Sequence, residues 1–580
     1  MSKNKKRVKK KKSGKEKKIS ENKFVSFFRK HYVLIFLIFI FVNSLKIILF
    51  SDKIFNSSAF MKLFIYKMIL CVILVGLIYV MLLNLRRGFF ILFYFIQIVY
   101  FVLNYMYYKY FLGFFNVVDI FYVLNSPQGI FLSLGDLFSI SMLFLIIDIP
   151  LFILIFYDYK NFQNKFTWKK KIIVIVILII FLLLFELINF SLNQSILQKD
   201  FLDINSISKR SKDDERVAIQ YGLFINNLYK LFNDNEIKAI NGLKYGPEIK
   251  INEKDKQYNI LVIQVESLDS YVINQTLDGK EISPYLNYLM NNSIYYPYVV
   301  SYHGKGSTTD SEFSVLNSLD PPENFASFRL KTYNYENSIS RKFKSNGYNT
   351  YAFHGNDGKF FNRKFTFGKL GFNYFYDLFD MNLNHVSWGA PDSKVFSYVL
   401  NKITEEKENF YYHVITMSLH KPFNLHKRYH KLNEYDINNS NLKKYYNSVT
   451  YSDNSFKDFI EAVRRNKPNT YIFIYGDHSS GIKYLDDKYS RIDFKGNRFE
   501  IVPLFIITPD SDKYFERKRV ISFKDIGISV LEGSGIKSRF KSDGANLLDY
   551  PILDNDINYK GEDYDRKEVY LEVSNYFNEN

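Results

Sequence analysis

Four apolar runs in this sequence each lead into a group that can bind a metal or move a proton. Asn259–Val265 (NILVIQV) is followed by Glu266-Ser267, and Thr350–Phe353 by His354-Gly355. Tyr411–Thr416 leads to His420, and Thr470–Tyr475 runs into Gly476-Asp477-His478. Carboxylates and imidazoles without a thiolate suit Mn²⁺, Mg²⁺ or Zn²⁺. Taken singly, a Gly-Asp after a strand is more often a plain turn, and a lone His is more often structural. The same placement after four strands favours a shared site. A fifth segment, Gly304-Lys305-Gly306-Ser307-Thr308-Thr309-Asp310-Ser311-Glu312-Phe313, sets two glycines before a hydroxyl cluster and a short helical pattern, Ser311–Leu316. Its structural reading is a Ser/Thr helix cap. Its chemical reading is a hydroxyl nucleophile at a helix N-terminus, where the dipole favours a bound phosphate. A free threonine hydroxyl is a poor nucleophile, and coordination to a metal would activate it.

The elements that must hold these groups alternate. The run at Asn259–Val265 is continuously apolar, as in a strand buried on both faces, and Pro503–Ile507 looks similar. Helical patterns at Ile339–Ser345, Ser393–Glu405 and Ser455–Arg465 lie between the strands. That rhythm predicts an α/β domain with a mostly parallel central sheet. Ligands of such sheets bind beyond the carboxyl ends of the strands, where the Glu, Asp and His residues stand.

The first third of the chain differs in kind. The 580 residues carry a net charge of +18, much of it in the opening MSKNKKRVKKKKSGKEKK, which reads as a solvated tail compatible with anionic lipid headgroups. Because the chain then enters a membrane, nucleic acid is not the expected partner. Five apolar runs approach the length of a bilayer crossing: Val33–Phe50, Ile65–Leu85, Phe89–Met106, Leu137–Tyr157 and Ile172–Phe190. The basic tail, Arg86 with Arg87, and Lys160, Lys165 and Lys169–Lys171 fall on one side, which the positive-inside rule makes cytoplasmic. Lys53, Lys62 and Lys67 fit that assignment poorly. Five crossings place everything after Phe190 outside the cell. Asn43, Lys46, Asp148 and Glu186 lie in or at the ends of these runs; Lys46 and Glu186 are expected to snorkel to the interface, and Asp148, just before Pro150, is the more notable. Beyond them, Val217, Tyr221, Phe224, Leu228 and Leu231 recur at helical spacing, and Gly246-Pro247 breaks the chain before the first strand. The only cysteine is Cys71, so the polar part has no disulfide, no thiolate metal site and no cysteine nucleophile. The expected organisation is a basic cytoplasmic tail (1–30), a five-helix transmembrane bundle (31–191), a juxtamembrane linker helix (192–257) and an extracellular catalytic domain (258–580).

The order of five apolar runs, a linker, VES, GKGSTTDSEF, HGNDGKFFNR, HVITMSLHKPF and YGDHS resembles the lipoteichoic acid synthases and related phosphoglycerol transferases of the alkaline phosphatase and sulfatase superfamily. The resemblance runs from the first helix to about Leu548. It implies a sulfatase-like fold and a metal site of Glu266, Thr308, Asp477 and His478, usually holding manganese, with Mg²⁺ or Zn²⁺ compatible. It implies Thr308 as nucleophile and His420 at the substrate phosphate or leaving oxygen. It places His354, Asn356, Phe361 and Arg363 around the phosphoglycerol. Two positions depart from the family pattern: Asn356 stands where an Asp is frequent, and Phe361 where a Trp is frequent. The implied reaction moves glycerol phosphate from phosphatidylglycerol to a glycolipid or glycerophosphate polymer at the cell membrane. Phosphoethanolamine transferases share the layout but usually carry ectodomain disulfides. Other sulfatase-superfamily hydrolases or transferases are further alternatives, although the C/S-x-P-x-R motif of true sulfatases is missing here. A non-catalytic membrane scaffold is the alternative of another class.

Overall fold

The computed structural model describes residues 31–55, 64–111, 140–195, Leu223 and 236–579, except 158, 278, 324, 387, 426–438, 483–490, 496, 510–514, 550–555, 560 and 561. The basic tail and the linker pattern Val217–Leu231, Leu223 aside, lie outside the described residues. Two compact units result, one holding the N-terminal helices and one holding the chain from Glu236 on.

In the N-terminal unit the apolar runs are helical: α1 Tyr32–Phe55, α2 Phe64–Leu82, α3 Arg87–Phe111, α4 Ile149–Tyr157 and α5 Trp168–Ser195. Two of the described stretches, Tyr32–Phe50 and Arg87–Met106, are long and apolar enough to cross a membrane by length and composition. The fourth expected crossing is broken. A 3₁₀ stretch at Ile140–Ile146 precedes α4, with Pro150, which has no N–H to continue the ladder, in its first turn. Lys46 does not snorkel. Its Nζ lies 2.7 Å from Asp148 Oδ1, and both side chains are fully buried. Tyr94 Oη (2.6 Å) and Asn43 Nδ2 (2.6 Å) also donate to Asp148, and Gln97 exchanges hydrogen bonds with Asn43. An acceptor this well surrounded outcompetes an interface that Lys46 would have to reach along its own stem.

The second unit is built on a mixed sheet. Its strands are β1 Asn259–Val265, β2 Ile294–Ser301, β3 Asn349–His354, β4 Tyr374–Tyr376, β5 Phe410–Ile415, β6 Thr470–Gly476, β7 Asn497–Ile507 and β8 Val520–Ser522. They lie in the order β8-β2-β7-β6-β1-β5-β3-β4. Only β7 opposes this common direction; the short Phe515–Glu516 and Arg491–Phe494 strands extend the β2 and β7 edges. The strand expected at Pro503–Ile507 is therefore the antiparallel one, and it begins earlier than its apolar run.

Every residue of β1 is buried. Leu261, Ile263 and Val265 enter one core, with Val395 of helix Asp392–Glu405 and Phe456 of helix Ser440–Asn466. Ile260 and Val262 enter the other, with Phe313 and Ile526. Alternation along one central strand thus requires a helical layer on each face. β2 (IYYPYVVS) escapes the sequence patterns because Pro297 interrupts it. The proline sits where the β2–β7 register shifts, so its missing N–H breaks no regular ladder.

Candidate active site

Parallel register brings the chemistry together. Val265 pairs with Gly476, so Glu266 and Asp477 leave adjacent strands side by side. His354 pairs with Ile415, placing the end of β3 beside the turn that carries His420. Gly476 is needed at this crossover because a Cβ there would sit 2.4 Å from the Leu268 carbonyl oxygen. The Ser267 N–H donates to Asp477 Oδ1 (2.8 Å), locking the two strand ends together.

Thr308 opens helix α6, Thr308–Asn317. Ser307, at φ 48° and ψ −120°, makes the turn into it, and its side chain caps nothing. The structural reading of the hydroxyl cluster as a Ser/Thr cap thus fails at the residue that would do the capping. Asp310 organises the loop instead: Oδ2 accepts the Gly304 and Gly306 N–H groups, and Oδ1 accepts Ser327 N–H and Oγ–H. Gly306 is small because a Cβ would meet Asp310 Oδ1 at 2.1 Å. Ser311, one turn along α6, donates to the Asp477 carbonyl (2.8 Å) and ties the helix to the sheet edge.

The result is a tight cluster. Thr308 Oγ1–H donates to Glu266 Oε2 (3.2 Å), and Thr308 Oγ1 lies 3.4 Å from His478 Nε2. His478 Nε2 is 3.3 Å from Glu266 Oε1 and 3.7 Å from Asp477 Oδ1. Glu266, Asp477 and His478 offer ligand atoms all within 4.8 Å of one another. Ligands about 2.1 Å from a tetrahedral ion stand about 3.4 Å apart, so these spacings match the edges of a coordination shell. His478 Nδ1 faces the Ser479 carbonyl oxygen at 2.9 Å. A carbonyl only accepts, so Nδ1 carries a proton; in the neutral ring that a metal would bind, the Nε2 lone pair then faces the cluster.

Charge tells the same story. Burial raises the Asp477 pKa to about 7, helped by repulsion from Glu266. Burial works against His478, but Asp477 and Glu266 outweigh it and raise its pKa to about 10. Burial would raise Glu266 too, yet His420 and His478 hold it below the usual carboxylate range. Two buried carboxylates share one imidazole, an excess of negative charge that a divalent cation balances. The residues present fit such an ion.

The remaining expected residues gather nearby. His354 is buried, with Nδ1 3.3 Å from the Ile415 carbonyl; burial and the charge of Arg363 hold its pKa well below normal. His420 Nδ1 lies 2.6 Å from the Lys421 carbonyl, which leaves Nε2 as its acceptor in the neutral ring, and Trp388 packs 4.9 Å away, centroid to centroid. Burial lowers the His420 pKa, against the opposing pull of Glu266. Asn356 is buried and accepts the Asp357 N–H (2.7 Å). Phe361 and Asn362 both adopt positive φ, 53° and 61°, before Arg363 starts helix α7, Arg363–Leu370. The Arg363 guanidinium lies 5.7 Å from the Phe361 ring.

Sequence reasoning missed three supporting acids. Asp310 builds the nucleophile loop. Glu312 pairs with Arg363 through Nε (3.0 Å) and Nη2 (2.7 Å). Asp392, at the start of helix α8, Asp392–Glu405, accepts the Met417 and Ser418 N–H groups (2.8 and 3.2 Å) and so holds the turn before His420. Asp310 and Glu312 lie inside the glycine-hydroxyl motif, which was their available signal. Asp392 had none.

Residues 258–536 match the family model described as Sulfatase. The lipoteichoic acid synthase-like protein YvgJ of Bacillus subtilis is 28% identical over 291 residues, covering 46% of this chain and 47% of that protein. Lipoteichoic acid synthase 2 of the same organism is 30% identical over 262 residues, covering 43% and 40%. The chain thus spans under half the length of these relatives. The crystal structure of the lipoteichoic acid synthase LtaP from Listeria monocytogenes aligns with a TM-score of 0.47 at 24% identity, covering 51% of this chain and 79% of that one. Over residues 258–536 the chain therefore carries a sulfatase-family domain, and the curated relatives it resembles there are a lipoteichoic acid synthase and a lipoteichoic acid synthase-like protein.

Proposed function

We propose that this chain is a membrane-bound phosphoglycerol transferase that moves glycerol phosphate from phosphatidylglycerol to a glycolipid or growing glycerophosphate polymer. The observation that carries the reading is the Thr308 hydroxyl at a helix N-terminus, within 3.4 Å of both Glu266 and His478. The names of its relatives support the transferred group. In this reading five helices within 31–191 anchor the enzyme, 192–257 links them to the catalytic domain 258–580, and that domain lies outside the cell.

Glu266, Asp477, His478 and Thr308 would hold a divalent ion, Mn²⁺ first, with Mg²⁺ or Zn²⁺ as alternatives. When bound, it lowers the hydroxyl pKa and offsets charge on the phosphoryl oxygens. Thr308 attacks phosphorus; the bond to the diacylglycerol oxygen breaks, leaving glycerophosphoryl-threonine. An acceptor hydroxyl then attacks and restores Thr308. Neutral His420, with Nε2 as acceptor, takes the proton of the incoming hydroxyl and returns one to a leaving oxygen. Arg363 stabilises charge on the phosphoryl group, and His354, Asn356 and Phe361 wall the glycerol.

The test uses full-length protein in mixed micelles with Mn²⁺. Diacylglycerol release from phosphatidylglycerol, abolished by Thr308→Ala, is expected. Turnover retained in that variant sinks the mechanism. Preference for phosphatidylethanolamine reassigns the headgroup, and a metal-free, inactive protein points to a scaffold.

A further inference from the structure

Arg363 is one of two partners in a buried fork. Its side chain is 3% exposed and that of Glu312 is fully buried. Arg363 Nε donates to both carboxylate oxygens (3.0 and 3.2 Å), and Nη2 donates to Oε1 at 2.7 Å. Among the described residues, Glu312 is the only hydrogen-bond partner of the Arg363 guanidinium. The pair joins α6, which begins at Thr308, to α7, which begins at Arg363 itself. Glu312 lies one helical turn beyond Thr308, so the nucleophile and the holder of the guanidinium ride on the same rigid element. The charge of Arg363 is felt at both His354 and His420.

We infer that Glu312 is a positioning residue, resting on the function proposed above: it fixes Arg363 so that its remaining edge, Nη1, meets the phosphoryl oxygens in the transition state. A side-on fork uses Nε and Nη2 and removes the rotamer freedom of a long side chain. Left loose, the guanidinium would still attract a phosphate but would have to be ordered during the reaction. Errors of about 1 Å in such placement cost about 100-fold in rate. A second purpose follows from charge. Burial raises the Glu312 pKa, and Arg363 opposes that rise. The pair is therefore neutral as a unit when both groups are ionised, which lets a buried Arg stand in a cleft before substrate arrives.

The test is a cycle of Glu312→Gln, Arg363→Gln and the double variant in full-length, Mn²⁺-loaded protein. Turnover is read on phosphatidylglycerol and, separately, on the soluble diester bis(4-nitrophenyl) phosphate, with thermal midpoints measured alongside. Glu312→Gln should lower kcat about 30- to 100-fold with KM changed less than about threefold. Arg363→Gln should lower kcat at least as much, and the double variant should lose no more than Arg363→Gln alone. Wild-type kcat in Glu312→Gln, or losses that multiply in the double variant, would overturn the inference; a lower thermal midpoint with unchanged kcat would mean a structural role only. Should Glu312→Gln yield no folded protein, Arg363→Lys addresses the same fork, since Lys keeps the charge but cannot form the planar pair; wild-type kcat there has the same consequence. Wild type idle on phosphatidylglycerol but active on the diester would reject the donor proposed above while the cycle still reads the fork.

Discussion

Asp392 offers a test of how the His420 turn is held. Its carboxylate is 1% exposed and accepts the Met417 and Ser418 N–H groups and the Ser452 hydroxyl. Burial is the largest influence and raises its pKa from 3.8 to about 6, the hydrogen bonds offsetting only part of it. The sign follows. Between pH 4 and 6 the folded chain binds a proton that the unfolded chain has released, so this group makes stability fall as pH rises. Two pKa units give a penalty of about 3 kcal/mol at pH 7.5 and about 1 kcal/mol at pH 4.5, a difference of about 2 kcal/mol. Asparagine cannot ionise and has no such penalty. Asp392→Asn should therefore be more favourable, relative to wild type, at pH 7.5 than at pH 4.5, by roughly 2–5 °C in thermal midpoint. Thermal shift of both proteins at both pH values, taken as a difference of differences, removes the other titrating groups. A variant-minus-wild-type shift that does not change with pH would refute the burial argument. Activity should move the other way: with an amide holding the turn less tightly, kcat at pH 7.5 should fall although the variant's relative stability is higher there than at pH 4.5.

Gly476→Ala should cost about 2 kcal/mol or more and abolish activity, because the new methyl presses on the Leu268 carbonyl and displaces Asp477; thermal shift and a turnover assay decide. Ser307→Gly should keep or raise stability, whereas Ser307→Val should lower it by about 1–3 kcal/mol, since only glycine accepts its φ of 48° and ψ of −120° without strain; denaturant or thermal midpoints of the two variants test this. Chelation of wild type should abolish turnover and lower the thermal midpoint, with both restored by Mn²⁺; Asp477→Asn should show no such metal-dependent shift. Lys46→Met should destabilise the N-terminal unit by about 3–5 kcal/mol by stranding Asp148, and adding Asp148→Asn should recover part of that loss, as read by detergent-solubilised thermal stability.

What the sequence made legible follows from local physics. The strands ending at Glu266, His354 and Asp477 were readable because buried parallel strands are unbroken apolar runs, and the chemistry follows directly. β2 was not, because Pro297 masks a strand whose register shift is supplied by β7, some 200 positions away. Helix α9, Ser440–Asn466, was legible only in its second half. Its first half, SNLKKYYNSVTYSD, is rich in Asn, Ser and Tyr, weak helix formers, and takes its helicity from the Asn439 cap and packing of Leu442, Tyr445 and Val449. Snorkelling of Lys46 was a fair inference from position alone; its partner lies 102 residues on. Asp392 was invisible for the same reason, and Glu312, although inside the glycine-hydroxyl motif, shows its role only through a contact with Arg363 that the tertiary fold creates.

Part of the chain's backbone strain lies where the chemistry is. Ser267 follows Glu266 with φ 52°, Ser307 precedes Thr308 with φ 48°, and Phe361 and Asn362 precede Arg363 with φ 53° and 61°. None of the four is glycine, and each such residue costs on the order of 1–3 kcal/mol, less for Asn. The surroundings hold them there: Asp477 on the Ser267 N–H, Asp310 on the loop before Ser307, and Glu312 on Arg363. Each of these acids is buried, and each fixes the backbone or side chain beside a reacting group. Rigidity at this site is thus a property of its acids more than of its loops. Relaxing a turn by substitution to glycine should therefore leave activity largely intact, whereas neutralising an acid that changes little in the backbone should not. The contrast between Ser307→Gly and Glu312→Gln measures it directly: if the glycine variant loses more kcat than the glutamine variant, the turns and not the acids hold the geometry.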